Sequence, residues 1–204
     1  MNKLRGLENT DKFIFDGDNG LGVPSIDAVH DFNACNFERI NMHNKVKNKY
    51  ETCLYTFVDD YRFNSVWTNP IKWLGVLHAF NSVIALDFSL YTDMPIALQI
   101  YNHYRKMWVA RLWQENDIKV IPNICWSTKE SYKFCFLGQP KNSIVAISSI
   151  GAIKSVESRK YFIDGYYKMK EVLEPTKIIC YGSLPKELLN EEVLRIPHFF
   201  NRSF

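Results

Sequence analysis

The chain lacks most of the short signatures by which reaction chemistry announces itself. Its five cysteines, Cys35, Cys53, Cys125, Cys135 and Cys180, form no CxxC pair, which removes the spacing that structural zinc and dithiol redox sites require. The five histidines (His30, His43, His78, His103 and His198) form neither HExxH nor HxH, so zinc hydrolases of that kind are excluded. There is no GxSxG elbow, no GxGxxG and no GxxxxGK[ST], which disfavours a nucleophile-elbow hydrolase and the standard phosphate loops. No metal site and no cofactor can be named on these grounds. Strong charge of one sign is missing as well. The net charge of +3 is mild for a dedicated duplex-DNA binder, which usually shows a pronounced basic face.

Long apolar runs are also absent. No segment is long and apolar enough to cross a bilayer, and the N-terminal MNKLRGLENTDK has no signal-peptide core, so the sequence predicts a protein without a membrane partner. Cys125 and Cys180 sit in apolar strand-like runs and read as reduced, buried small hydrophobes. A cytoplasmic, reducing location follows as the expectation.

What the chain does have is apolar material. It is 47% hydrophobic and 15% aromatic over 204 residues, enough for a substantial core. The length suits one domain. The expected division is an N-terminal extension, 1–50, packed on an α/β domain, 51–204. Within the extension, Lys12–Phe15 reads as an edge strand. Asp16-Gly17-Asp18-Asn19-Gly20 resembles a calcium loop but puts Gly20 at a ligand position and Leu21 at the turn glycine, so a Gly/Asp turn is the better reading. Arg39, His43, Lys45, Lys47 and Lys49 form the densest basic cluster, flanked by Glu38 and Glu51. That flanking favours a solvated face over a phosphate-contacting patch.

Strand and helix patterns alternate from residue 53 onward. Cys53–Val58, Val83–Leu86, Lys119–Cys125, Ser143–Ile147 and Lys177–Cys180 read as strands, with Pro122 suggesting an edge or a bulge in the third. Helices are expected over Ile71–Phe80, Pro95–Glu115, Ser127–Leu137, Val156–Leu173 and Leu184–Leu194, with the aromatic tail His198-Phe199-Phe200 docking on the core. Alternation of this kind calls for an α/β fold with a mostly parallel sheet. The near-continuous apolar strands predict a sheet covered by helices on both faces. About five strands are too few for a closed eight-stranded barrel, so an open, doubly wound sheet is the first expectation. An incomplete TIM-like barrel is the alternative, because the N-terminal residues could add one or two strands.

Parallel strands align their C-terminal ends on one edge, where ligands bind in open α/β sheets and in barrels alike. The sequence decorates these ends with Asp59 and Asp60; Asp87 and Ser89; Trp126 and Ser127; Ser148, Ser149 and Gly151; and Tyr181, Gly182 and Ser183. Asp87 and Asp59 are the candidates for catalysis, a carboxylate pair for general acid–base work or for one Mg²⁺ if their strands are neighbours. Asp60, Ser89, Asn102, Arg105, Trp126, Ser148, Gly151 and Tyr181 are the candidate ligand-binding residues. Arg105 shares a helix face with Asn102 and needs an anionic partner, either a protein carboxylate such as Asp87 or a ligand phosphate. Trp126 offers a stacking face. His78 and His103 read as helix-surface residues.

Several of these segments together resemble an uncharacterised domain-of-unknown-function family of bacteriophages and mobile elements of Gram-positive bacteria. The resemblance rests on Leu21-Gly22-Val23-Pro24, on Asp59-Asp60-Tyr61-Arg62-Phe63, and on Leu86-Asp87-Phe88-Ser89-Leu90-Tyr91 with Met94-Pro95. Tyr104-Arg105 with Trp113-Gln114, Val120-Ile121-Pro122 with Trp126, Asn142 to Ser148, and Tyr181-Gly182 carry it further. Asp117 stands where a glycine would follow the long helix, a departure that bears on a tight C-cap there. The resemblance implies a setting, a bacterial host cell, and no transferable activity. Two expectations result. One is a ligand site for a phosphorylated or nucleotide-like small molecule at the C-terminal strand ends. The other is a non-catalytic protein that binds nucleic acid or a host protein.

Overall fold

The computed structural model describes residues 8–17 and 19–196. Asp18 of the Gly/Asp turn and the aromatic tail from His198 lie outside them. Seven strands pair in parallel: β1 (Asn36–Arg39), β2 (Thr52–Tyr55), β3 (Ser82–Ile84), β4 (Val120–Ile121), β5 (Ile144–Ser148), β6 (Lys177–Tyr181) and β7 (Val193–Ile196). They form two sheets, β1-β2-β3-β4 and β5-β6-β7. A single parallel bridge, Asn123 to Ala146, joins them. Four helices lie in the connections: α1 (Asn64–Thr68), α2 (Pro70–Leu77), α3 (Ile96–Gln114) and α4 (Val156–Leu173).

This is the expected α/β class with parallel strands, but the spatial order of the strands is simply their order in the chain. A doubly wound sheet reverses direction partway, and this one does not. Alternate strand residues explain the consequence. Leu54, Val83 and Val120 pack with the buried faces of α1, α2 and α3, and Val145, Ile147, Ile178 and Cys180 pack with α4. The other set, Cys53, Tyr55, Ile84, Ile121, Ala146, Ile179, Tyr181 and Ile196, forms a third cluster that contains no helix residue. Tyr181 of β6 meets Tyr55 of β2 at a ring-centroid distance of 5.0 Å, although three strands separate them. The sheet therefore curls around its own side chains, with helices on the outer face alone. Of the two arrangements expected, the geometry is that of the incomplete barrel, and cover by helices on both faces gives way to it.

The N-terminal ends of the strands are closed by one extended segment. Val29 receives the Ile144 amide at 2.8 Å and its own N–H donates to Ser143 Oγ at 2.9 Å. Two residues on, Asp31 pairs with Lys119 at 2.6 Å. Asn33 Oδ1 accepts from Asn81 Nδ2 at 3.0 Å, and the Cys35 N–H donates to Glu51 O at 3.0 Å. Ser143, Lys119, Asn81 and Glu51 each precede a strand, so residues 29–35 run across the starts of β5, β4, β3 and β2 in turn.

Several local expectations need correction. Lys12–Phe15 is not a strand; Phe15 packs on Trp108, and Phe13 O accepts from Trp108 Nε1 at 3.2 Å. Ser127–Leu137 holds only a 3-10 turn, Lys129–Lys133, and Leu184–Leu194 holds another, Lys186–Leu188, before β7 begins. Pro122, by contrast, fits the edge expectation, following β4 at the end of the four-stranded sheet. Its carbonyl accepts from Ala146 N at 2.8 Å where the two sheets meet, a place where a missing N–H is tolerated. Asp117 adopts φ +57° and closes α3 without glycine, the Ile118 amide returning to Trp113 O at 3.1 Å. Aspartate is among the few residues that enter this left-handed region readily. Among the described residues, no helix is long and apolar enough to cross a membrane.

Candidate functional site

The C-terminal ends of β3, β4 and β5 surround a cavity of about 260 Å³. Asp87 and Ser89 reach it from the loop after β3, Cys125, Trp126 and Ser127 from the segment after β4, and Ser148 and Gly151 from the end of β5 and its loop. Ser158, Tyr161 and Phe162 of α4 complete the wall.

The loops are held by α3. Four polar residues on its inner side, Gln99, Asn102, His103 and Lys106, are buried, and their spacing at three and four residues puts them on one stripe. Gln99 Nε2 donates to Tyr91 O and Met94 O at 3.2 and 2.8 Å, while its Oε1 accepts from Ser127 Oγ at 2.6 Å. Asn102 Nδ2 donates to Ser89 O at 2.7 Å. His103 Nε2 bonds Leu137 O at 2.9 Å; it is a buried residue, not a surface one, and burial followed by the Lys106 charge lowers its pKa to about 3. Lys106 Nζ donates to Asn123 O at 2.9 Å and to Cys125 Sγ at 3.2 Å. Each side chain satisfies a loop carbonyl or another buried polar group.

Asn123 links this stripe to Asp87. Its carbonyl is held by Lys106 and, at 3.2 Å, by Gln139 Nε2. Its side-chain Nδ2 donates to Leu86 O at 3.1 Å and to Asp87 Oδ1 at 2.8 Å. The Asp87 backbone N–H donates to Thr56 Oγ1 at 2.8 Å. Among the described residues Oδ2 of Asp87 takes no hydrogen bond. Burial raises the Asp87 pKa to about 6, against the Asn123 hydrogen bond and the Lys106 charge, with Asp60 adding to the rise. Such a carboxyl changes charge close to neutral pH. Burial also raises the Cys125 pKa, opposed by Lys106.

Of the residues singled out in the sequence, Asp87, Ser89, Trp126, Ser148 and Gly151 come together on the cavity wall. Asp60 and Asn102 stand just behind it. The two oxygens of Asp60 accept from Ser89 N and Oγ at 3.2 and 2.8 Å. Asp59 is not paired with Asp87. It faces solvent and accepts from Arg62 Nε at 3.3 Å, because the chain turns into the 3-10 turn Asp60–Arg62 at that point. Asp60, one residue later, is the second carboxylate near Asp87. Arg105 does not reach Asp87 either. Its guanidinium lies over the Phe88 ring, 3.8 Å from the centroid, beside Tyr101 and bonded to Asn102. Its Nε is buried without a hydrogen-bond partner among the described residues. Tyr181 belongs to the strand interior, stacked on Phe57 at 5.3 Å.

Trp126 is fixed by α4. Its Nε1 donates to Tyr161 O at 3.1 Å, and its ring lies 5.6 Å from that of Phe162. Gly165 makes room for it; a Cβ there would lie 2.1 Å from Trp126 Nε1. Sequence reasoning missed Gln99, Lys106, Asn123 and the α4 residues. The signal for the first two was the four-residue ladder of polar groups 99, 102/103 and 106 inside an otherwise apolar helix. Asn123 and α4 left no local signal.

Among the described residues, no group of three or more His, Cys, Asp or Glu side chains is arranged to hold a metal ion. A parallel α/β fold with consecutive strands and a cavity at their C-terminal ends is thus the class of protein defined by the geometry. The chain belongs to the family described as Domain of unknown function (DUF4417), whose model matches residues 15–199. It is 36% identical over 151 residues to the Gene 1 protein of Mycobacterium phage L5, covering 73% of this chain and 66% of the relative. The Gene 1 protein of Mycobacterium phage D29 is also 36% identical over 151 residues, with 73% and 56% covered. The match thus spans somewhat more than half of each relative's length, and the family is one of phage-associated proteins. No solved structure matches the chain.

Proposed function

We propose that this protein is a phage accessory protein, acting in the cytoplasm of the bacterial host, that binds a nucleotide-like small molecule in the cavity above β3, β4 and β5. The observation that carries the reading is one carboxyl, Asp87, with a free oxygen, on the wall of a cavity lined otherwise by aromatic, aliphatic and hydroxyl side chains. Trp126, Tyr161 and Tyr91 supply flat apolar surface for a ring. Ser89, Ser127, Ser148 and Ser158 supply short polar contacts of the sort that fix orientation. A pKa near neutrality suits Asp87 to hold or release a proton on a bound molecule.

No Lys, Arg or His lines the cavity among the described residues, so a phosphate would sit at its mouth and not in its depth. The basic cluster gives the nucleic-acid reading less support. Arg39 pairs with Glu38, and Lys49 lies over the Phe80 ring at 5.5 Å. The test is calorimetric titration of the protein with nucleosides and their 5′-phosphates. Binding that is lost in Trp126→Ala and retained in Lys45→Ala/Lys47→Ala supports the site. Binding insensitive to Trp126 and abolished at Lys45 and Lys47 would transfer the function to the basic surface.

A further inference from the structure

We propose that the group seated against Asp87 is a planar ring edge carrying two adjacent N–H donors, the edge that guanine presents, and that the cavity selects a guanine base over the other bases. This deepens the nucleotide-like reading given above and rests on it.

The argument starts from what Asp87 can and cannot do. An ionised carboxylate only accepts hydrogen bonds, with room for about four on its two oxygens. Asn123 occupies one site on Oδ1 at 2.8 Å, and Oδ2 is open. A ligand edge therefore meets an acceptor on each oxygen. Cytosine and adenine each offer one amino group beside a bare ring nitrogen, and that lone pair would face a carboxylate oxygen. Uracil offers a single N–H between two carbonyls. Guanine alone pairs N1–H with the N2 amino group on one edge, matching both oxygens at once. The charge balance agrees, since among the described residues the cavity wall carries no cation to favour a ligand that is anionic at this edge.

The carboxyl is also kept in one orientation. Lys106 and Gln139 hold the Asn123 backbone carbonyl, and its side-chain Nδ2 is anchored on Leu86 O at 3.1 Å as well as on Oδ1. The charged and titratable groups that face Asp87 are Asp60 from the turn after β2, Lys106 from α3 and Cys125 from the segment after β4. Lys106 favours the ionised form and Asp60 opposes it. Protonated Asp87 becomes a donor on one oxygen and loses its match to guanine. It then suits an edge with one donor and one acceptor, as adenine and cytosine have.

Calorimetric titration with guanosine, inosine, adenosine and cytidine, at about pH 7.5 and about pH 5, tests the inference. At about pH 7.5 guanosine binds most tightly, and inosine, which lacks the N2 amino group, binds about ten-fold more weakly, the equivalent of one charge-assisted hydrogen bond. Guanosine weakens on going to about pH 5, and adenosine and cytidine gain on it. Asp87→Asn loses guanosine by about ten-fold or more at about pH 7.5, with circular dichroism showing the fold retained. Adenosine or cytidine bound more tightly than guanosine at the higher pH overturns the donor-pair inference while leaving a nucleotide-like site standing. Benzamidine bound with no response to guanosine overturns the assignment to a base. If no nucleoside binds, the broader reading fails along with this one.

Discussion

The two ends of the strand array are built on opposite plans. At the N-terminal end, a single extended segment crosses four strand starts and is bound at every second residue, from Val29 to Cys35. At the C-terminal end, no segment among the described residues crosses. The loops there hang from one helix, α3, whose buried polar stripe holds their carbonyls from behind and leaves a cavity in front. The closed end satisfies its polar groups with backbone and surface ion pairs. The open end retains a half-buried carboxyl whose ionisation is opposed by its surroundings. A protein optimised only for stability would gain by losing that group, and this is the contrast on which the proposed site rests.

Substitutions can break this contrast, and the largest effect is expected at the open end. Gly165→Ala adds a methyl that collides with the Trp126 indole at 2.1 to 2.4 Å. Helix propensity alone favours alanine by about 1 kcal/mol, yet overpacking of this kind should leave a net loss of about 2 kcal/mol or more. Urea denaturation, followed by tryptophan emission, measures both the loss and the displaced indole. At the closed end, Ser143→Ala leaves the Val29 N–H without its 2.9 Å acceptor. A buried donor left unpaired costs about 1–2 kcal/mol, which a shift in the urea midpoint would show without any change in ligand binding.

Asp87→Asn should move in the opposite sense. The folded state binds a proton at Asp87 more tightly than the unfolded chain, so this group lowers stability as pH rises from the ordinary carboxylate range through about 6. The amide removes that cost. Discounted for partial exposure, the gain is about 1 kcal/mol above neutral pH, visible as a higher melting temperature. It should fade as pH falls through about 6 and vanish within the ordinary carboxylate range. A stabilised variant that no longer binds ligand would mark Asp87 as a functional group, and a destabilised one would return it to the scaffold. The smallest effect is expected for Asp31→Asn. Lys119 holds the Asp31 carboxyl below its ordinary range, a contribution present at neutral pH and lost only as pH falls through that lowered value. The pair is solvated, so melting scans at neutral pH should barely separate the variant from the parent, and added salt should erase what difference there is.

The central elements were legible because their signals are local. Ile144–Ser148 and Val156–Leu173 carry unbroken apolar or periodic patterns, and Ser155 caps the helix through Ser158. β1 and β7 were hidden because pairing with a neighbouring strand, not their own composition, makes them strands. Asn36–Arg39 reads NFER and Val193–Ile196 reads VLRI, the latter following two glutamates. Missing them reduced seven strands to five and made an open sheet look more natural than a curled one. The site was half legible for the same reason. Strand-end position brought out Asp87, Trp126 and Ser148, whereas Asn123 matters only through partners 17 and 36 residues away.

The join between the sheets has a mechanical consequence. Ladder continuity there depends on two backbone hydrogen bonds, Ile124 N to Ala146 O at 2.9 Å and Ala146 N to Pro122 O at 2.8 Å. The cavity lies directly over this seam, with Asp87 on one side and Ser148 on the other. Any molecule that grips both walls acts as a staple, reinforcing from the open end a seam whose ladder is thin there. Saturating ligand should therefore slow amide exchange at Ile124 and Ala146 more than at Leu54 or Ile179, deep within either sheet.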